Sequence, residues 1–292
     1  MKHIVGFSGG IDSQATALWV RNRFPKDDVI LLNSNAGGHE HWMTVDFIRR
    51  YADEVFPVQV VVATLADFAE DSPGVAAKTG LPPETPLTME MLGTLKQRFP
   101  STKARFCTTY LKLIPQRRWM RANVRGDFCR YSGLRREEGS PNRHRRGRFY
   151  TPISEEDDFF QSELFHPIAD WTKQMCFDYC RHHGEEVNPL YSLGFERVGC
   201  SPCVNASKED IRNWATRFPD RIENVRRLEQ AVGKTFFPPQ TVPGQRYSFV
   251  DDVVEWSRTV DKVRNLTPGG GRQLSILADH VEPFDSKYGL CE

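Results

Sequence analysis

The chain has 292 residues, a formal net charge of +1, 39% hydrophobic residues and seven cysteines. That length holds one large α/β domain with an extension, or two small domains, and a charge near zero gives no global sign of nucleic-acid or membrane attraction. No apolar run reaches the length of a bilayer span, and Met1-Lys2-His3 leads straight into a strand pattern without a signal-peptide layout, so the expectation is a cytoplasmic protein with no membrane partner. In that reducing compartment an odd number of cysteines reads as thiols or metal ligands rather than a disulfide framework.

In chain order, the apolar pattern predicts a strand over 3–7, a helix over 14–24, a strand over 28–33, a helix over 41–53 and a strand over 57–62. Such alternation implies a doubly wound, mostly parallel sheet with ligands at the carboxyl ends of its strands. Residues 70–105 contain Pro73, Gly74, Gly80, Pro82, Pro83 and Pro86 before an amphipathic stretch near 88–98, which reads as a long insertion and a mobile lid. A helix over 109–122, a strand near 126–131 and an Arg-rich loop at 134–148 follow. Helices near 172–183, 208–217 and 220–233 come next, and Gly269-Gly270-Gly271 forms a flexible joint ahead of the tail.

The segment Ser8-Gly9-Gly10-Ile11-Asp12-Ser13 lies between the first strand and the first helix. Two glycines let backbone N–H groups crowd against an anion, and the helix points its positive end at the same place. Ser8 and Ser13 add hydroxyl donors, and Asp12 suits the Mg²⁺ that accompanies a triphosphate. No Lys follows the glycines, so the loop is not of the G-x-x-x-x-G-K-[ST] kind. A plain Gly-Gly turn does not account for the full S-G-G-x-D-S match. On that match the chain resembles the PP-loop ATP pyrophosphatases, of the adenine nucleotide α-hydrolase-like superfamily. The resemblance implies a Rossmann-like PP-loop domain over 1–195 and a helical, cysteine-bearing region over 196–292.

Further segments are similar to the phosphoadenosine phosphosulfate reductase branch of that superfamily. They are Phe106-Cys107-Thr108 with Lys112 and Pro115, then Gly133-Leu134-Arg135-Arg136-Glu137-Glu138 with Arg143, then Pro167-Ile168-Ala169-Asp170-Trp171. Asn188-Pro189-Leu190-Tyr191 and Arg197-Val198-Gly199-Cys200-Ser201-Pro202-Cys203 complete the order. By implication Asn33, Asn35 and Gly37 lie by the nucleotide, and Lys112, Arg135 and Arg136 contact phosphate, sulfate or an activated acid. Arginine suits that role on its own chemistry, since its planar fork binds phosphate oxygens in pairs. For Arg143 to Arg148 a solvated basic loop is an equally good reading.

Cys200-x-x-Cys203 has the spacing that presents two thiolates to one metal. Cys107 stands where the branch carries cluster cysteines, although Cys107-Thr108 replaces the adjacent pair of its iron–sulfur members. With Cys291 in the tail, Cys107, Cys200 and Cys203 make a four-thiolate set for a four-iron iron–sulfur cluster or for Zn²⁺. Cys176 and Cys180, four apart on a helix, and Cys129, in a strand, read as small apolar core residues. The branch's reductases end in a Glu-Cys-Gly-Leu-His-like segment, whereas this chain reads Lys287-Tyr288-Gly289-Leu290-Cys291-Glu292, with Tyr288 in the nucleophile's place.

The resemblance therefore implies ATP cleavage to AMP and pyrophosphate with adenylation of an acceptor, as in DNA phosphorothioation systems or tRNA thiolation, the former ranking higher. Its implied partners are a nucleotide substrate, a nucleic-acid acceptor, a cysteine desulfurase or other sulfur donor, and a second copy of the chain. A sulfonucleotide reductase using Cys291 as nucleophile and a non-catalytic nucleotide sensor are the alternatives.

Overall fold

The computed structural model describes residues 1–138 and 153–259. Its sheet has six strands: β1 (Lys2–Gly6), β2 (Val29–Asn35), β3 (Val58–Val62), β4 (Phe128–Tyr131), β5 (Ser154–Asp157) and β6 (Ser162–Phe165). Their spatial order is β3-β2-β1-β4-β6-β5. Every neighbouring pair is parallel except β5 with β6. The centre is β1, whose His3, Ile4 and Val5 are all buried, as expected of a strand covered on both faces. Strand order reverses between β1 and β4, so a crevice opens above the carboxyl ends of those two strands.

Helices α1 (Ile11–Arg21), α2 (Trp42–Glu54), α3 (Leu65–Ala69), α4 (Pro73–Ala77) and α5 (Met89–Lys96) come from the first third of the chain. Next come α6 (Phe106–Thr108), a π-helical turn (Thr109–Leu113) and α7 (Ile114–Asn123). The π turn has a local cause. Pro115 has no N–H to return to Leu111, and the ladder widens so that the Ile114 N–H reaches Thr109 five residues back. The remaining helices are α8 (Lys173–His182), α9 (Lys208–Arg217), α10 (Pro219–Val232) and α11 (Val250–Arg258). Among the described residues no helix is long and apolar enough to cross a membrane.

The expectation of a lid over 70–105 is corrected by the structure for its second half, 83–99, which is part of the core. Leu87, Met89, Leu92 and Phe99 are buried in the largest apolar cluster. The Leu87 N–H donates to Ala63 O at 2.8 Å, and those of Leu65 and Ala66 donate to Thr85 O and Pro83 O at 2.8 Å each. From Leu87 to Phe99 the apolar side chains of this strap are spent on packing, whereas Val75 and Leu81 in its first half are exposed. The same cluster joins Ile11 and Ala15 of α1 to Trp214, Val225 and Val253, so one core runs across position 195. Cys176 and Cys180 are fully buried within it, as expected of apolar thiols.

Candidate nucleotide site and cysteine cluster

The phosphate loop leaves β1 and enters α1 at Gly10. Gly9 has φ +74°, and a Cβ there would press on Ile48 at 3.0 Å, so both conformation and space call for glycine. Ser13 Oγ accepts from the Ser8 N–H at 3.1 Å and donates to Gly10 O at 2.8 Å. Its hydroxyl proton thus closes the loop, and the side-chain donor left to a ligand is Ser8 Oγ, which lies 3.1 Å from Ser13 Oγ. The loop is gripped from behind by the segment after α8. Asn188 Nδ2 donates to Gly9 O at 3.1 Å, and the Ile11 N–H donates to the Tyr191 hydroxyl at 2.9 Å. By helix geometry the N–H groups of Asp12 and Ser13 have no intrahelical acceptor, so they and the positive end of α1 are what the loop offers an anion.

Asp12 meets Arg135 from the carboxyl end of β4. Arg135 Nε donates to Asp12 Oδ1 at 2.8 Å and a second guanidinium nitrogen reaches Oδ2 at 3.4 Å; Arg135 also pairs with Glu137. Arg135 is buried, whereas Asp12 keeps about a quarter of its side chain exposed. Glu137 in turn accepts from the Lys173 N–H at 2.9 Å, linking the pair to the start of α8. Gly133 makes this approach possible, because a Cβ on it would sit 2.6 Å from Asp12 O and 2.7 Å from its carbonyl carbon. Arg136 is ion-paired with Asp170, and its N–H donates to Ala169 O at 2.9 Å.

At the neighbouring end of β2, Asn33 Nδ2 donates to Phe7 O at 2.8 Å and Asn35 Oδ1 accepts from the Gly38 N–H at 3.0 Å. Gly37, at φ +66°, lies so close to the 87–88 backbone that a Cβ would meet Leu87 O at 2.6 Å. These three residues brace the edge of the crevice.

The cysteine cluster is assembled from three distant segments. Glu40 and Cys200 form an antiparallel bridge, the Ser201 N–H donates to His39 O at 2.9 Å, and His39 Nε2 donates to Pro202 O at 2.8 Å. From α10, Arg221 Nε donates to Ser201 Oγ at 3.0 Å and clamps the loop. The Ser201-Pro202 peptide is cis. The π turn delivers Lys112 to the same place. The ammonium of Lys112 is held above its ordinary range by Cys200 first, then by Glu40, Cys107 and Cys203. Burial pushes the Cys200 thiol up to about 12, with the Lys112 charge pulling it back. Burial and the neighbouring Cys203 raise Cys107 in the same way. Burial also raises Glu40. The structure thus places Cys107, Cys200, Cys203 and Lys112 within electrostatic reach of one another, while Cys291, Tyr288, the Gly269–Gly271 joint and Arg143 to Arg148 lie outside the described residues. Among the described residues no three His, Cys, Asp or Glu side chains stand in a metal-binding arrangement.

Several of these residues carry no signal that sequence reasoning used. Gly133 and Asn188 lie in segments whose order was informative, yet their tasks are contacts with α1 and Gly9 that spacing does not reveal. His39 and Glu40 follow the Asn35-to-Gly38 turn directly, a position that could have marked them.

A family profile for the phosphoadenosine phosphosulfate reductase domain matches residues 2–206. The chain belongs to that family. Within its wider kinship, an uncharacterized 37.8 kDa protein of Escherichia phage 186 is 29% identical over 332 aligned positions, covering 99% of this chain and 96% of that protein. The adenosine 5'-phosphosulfate reductase of Allochromatium vinosum is 32% identical over 121 residues, 40% of this chain and 43% of the reductase. This family member therefore spans under half the length of such a reductase. A solved phosphoadenylyl-sulfate reductase of Candida auris, in a phosphate complex, aligns at 14% identity with a TM-score of 0.43, over 68% of this chain and 81% of that one.

Proposed function

We propose that this protein cleaves ATP between the α and β phosphates and adenylates an acceptor, in sulfur transfer to nucleic acid of the phosphorothioation kind. The observation that carries the reading is the complete Ser8-Gly9-Gly10-Ile11-Asp12-Ser13 loop on the first turn of α1, beside the β1/β4 crevice. The β and γ phosphates bind the Asp12 and Ser13 amides and the Ser8 hydroxyl, and Arg135 fixes the Asp12 carboxylate toward them. Mg²⁺ at Asp12 would offset the charge of the departing pyrophosphate. An acceptor oxygen attacks the α phosphorus, the bond to the bridging oxygen breaks, and pyrophosphate leaves with the electron pair.

Cys107, Cys200 and Cys203, electrostatic neighbours around Lys112, are not in a metal-binding arrangement here and would have to close together, with Cys291 as fourth ligand, to hold a four-iron cluster or Zn²⁺; it is their soft thiolate chemistry that suits either. When bound, such a cluster supplies sulfur and redox chemistry. Lys112 contributes the cation that offsets the thiolates.

The test is Mg²⁺-dependent pyrophosphate release from ATP in the presence of DNA. Asp12→Asn should lower it about a hundredfold with the circular dichroism spectrum unchanged, and full activity in that variant rejects the assignment. The names of the partial relatives favour one second reading, a sulfonucleotide reductase. Thiol-dependent sulfite release from adenosine phosphosulfate, without pyrophosphate release from ATP, would establish it instead.

A further inference from the structure

The near-zero net charge conceals a strong asymmetry. Residues 91–126 contain nine Lys and Arg and no Asp or Glu, leaving the rest of the chain with thirty basic against thirty-eight acidic residues. Some of the nine are spent internally. Arg117 pairs with Glu70, Arg118 pairs with Asp67, and Lys112 lies among the thiols. Lys96, Arg98, Lys103 and Arg105 have no carboxylate partner among the described residues, and the last three are exposed.

Three of these four, Lys96, Arg98 and Arg105, line one cleft of about 470 Å³ together with Phe106, Thr108 and Thr109. Its volume suits a nucleotide-sized group. Arg98 lies over the Phe106 ring at 5.6 Å, and Lys96 donates to the Tyr110 hydroxyl at 3.1 Å while lying over the Tyr110 ring at 4.6 Å. The walls are thus cations seated on aromatic rings, with threonine hydroxyls between them. Lys103 sits on the Ser101–Ala104 turn beside the cleft. That turn is tied to the cysteine loop, because Thr102 Oγ1 donates to Asn205 Oδ1 at 2.9 Å and the Asn205 N–H donates to Cys203 Sγ at 3.5 Å. Phe106 and Thr108 flank Cys107, so the cleft and the thiols share a wall.

We infer that this cleft binds a single nucleic-acid strand, seating a phosphodiester against Arg98, Lys103 and Arg105 beside the cysteine cluster. Guanidinium forks match phosphate oxygens, and the Arg98–Phe106 stack gives a planar surface to an unpaired base. The choice of nucleic acid over another polyanion rests on the reading above, in which the acceptor is a nucleic acid. The anion preference of the cleft does not. The surface is distinct from the Arg135 segment, whose guanidinium is committed to Asp12 and Glu137.

The experiment is fluorescence anisotropy of the full-length protein with a labelled fifteen-base single strand over a salt series, next to ATP binding measured separately. Wild type should bind with a steep salt dependence. Arg98→Ala/Lys103→Ala/Arg105→Ala should bind at least about tenfold more weakly, with a slope in log Kd against log salt shallower by about two, as expected when three phosphate contacts are lost. The same variant should bind ATP as wild type does, which excludes misfolding. Unchanged strand binding in the triple variant, salt-independent binding, or equal competition by polyglutamate of the same charge each overturns the inference. Strand binding in a protein that does not bind ATP leaves this inference standing and removes the pyrophosphatase reading, and the reverse result does the opposite.

Discussion

The phosphate loop and the cysteine cluster lie near neighbouring strand ends but are built in opposite ways. Ser8, Gly10 and Ser13 bond chiefly to one another, so the loop's shape is written into six consecutive residues. The thiols instead depend on Glu40, Lys112 and the 200–203 loop meeting from distant parts of the chain. A local device declares itself in the sequence, whereas an assembled one exists only after folding. Even the local device borrows from afar, through Gly133, Asn188 and Tyr191.

Substitutions at those borrowed contacts sharpen the contrast. Gly133→Ala should have the largest effect, since its Cβ would overlap the Asp12 carbonyl and cannot be relieved by a flexible side chain. We expect a loss of about 3 kcal/mol in chemical denaturation, the upper range for overpacking, together with loss of nucleotide binding. Wild-type stability in that variant would show that the loop tolerates displacement of β4.

Acid should act next, through His41. Its Nδ1 caps α2 by accepting from the Met43 N–H, and it is fully buried against Trp214 and Phe218; burial lowers its pKa to about 4. Between pH 6.5 and about 4 the unfolded chain binds a proton that the folded chain refuses, so stability falls as pH falls through that window. By pH 5 the loss is about 2 kcal/mol. His41→Asn retains a capping acceptor and cannot titrate, so its stability between pH 7 and 5 should be flatter than wild type.

Tyr191→Phe is the mildest change. It removes the acceptor of the Ile11 N–H, worth about 1 kcal/mol by a thermal or urea measurement. It also frees one more amide at the helix start, so nucleotide affinity should hold or rise, which separates loop stability from anion binding.

Much of this architecture was legible beforehand. β1 to β4 fall within a residue or two of the expected strands, because β1, β2 and β3 carry their apolar runs between clear turn residues; β5 and β6 were not expected, since Ser154-Glu155-Glu156-Asp157 has no apolar run to mark it. The second half of the 70–105 strap was misread since proline spacing looks the same in an open loop and in one pinned by Leu87 and Leu92. Arg135 was read as facing a ligand, and a sequence does not tell whether a guanidinium meets an outside phosphate or the chain's own Asp12. The basic 91–126 segment escaped because the total charge averages it away.

The grip of Asn188 and Tyr191 on the phosphate loop has a consequence for biosynthesis. The motif leaves the ribosome with β1, yet the residues that hold Gly9 and Ile11 follow about 180 positions later. Long-range closure of this kind is slow. A nascent chain interrupted before α8 therefore carries the whole motif and should capture no nucleotide, so activity is withheld until all six described strands and α8 have been made.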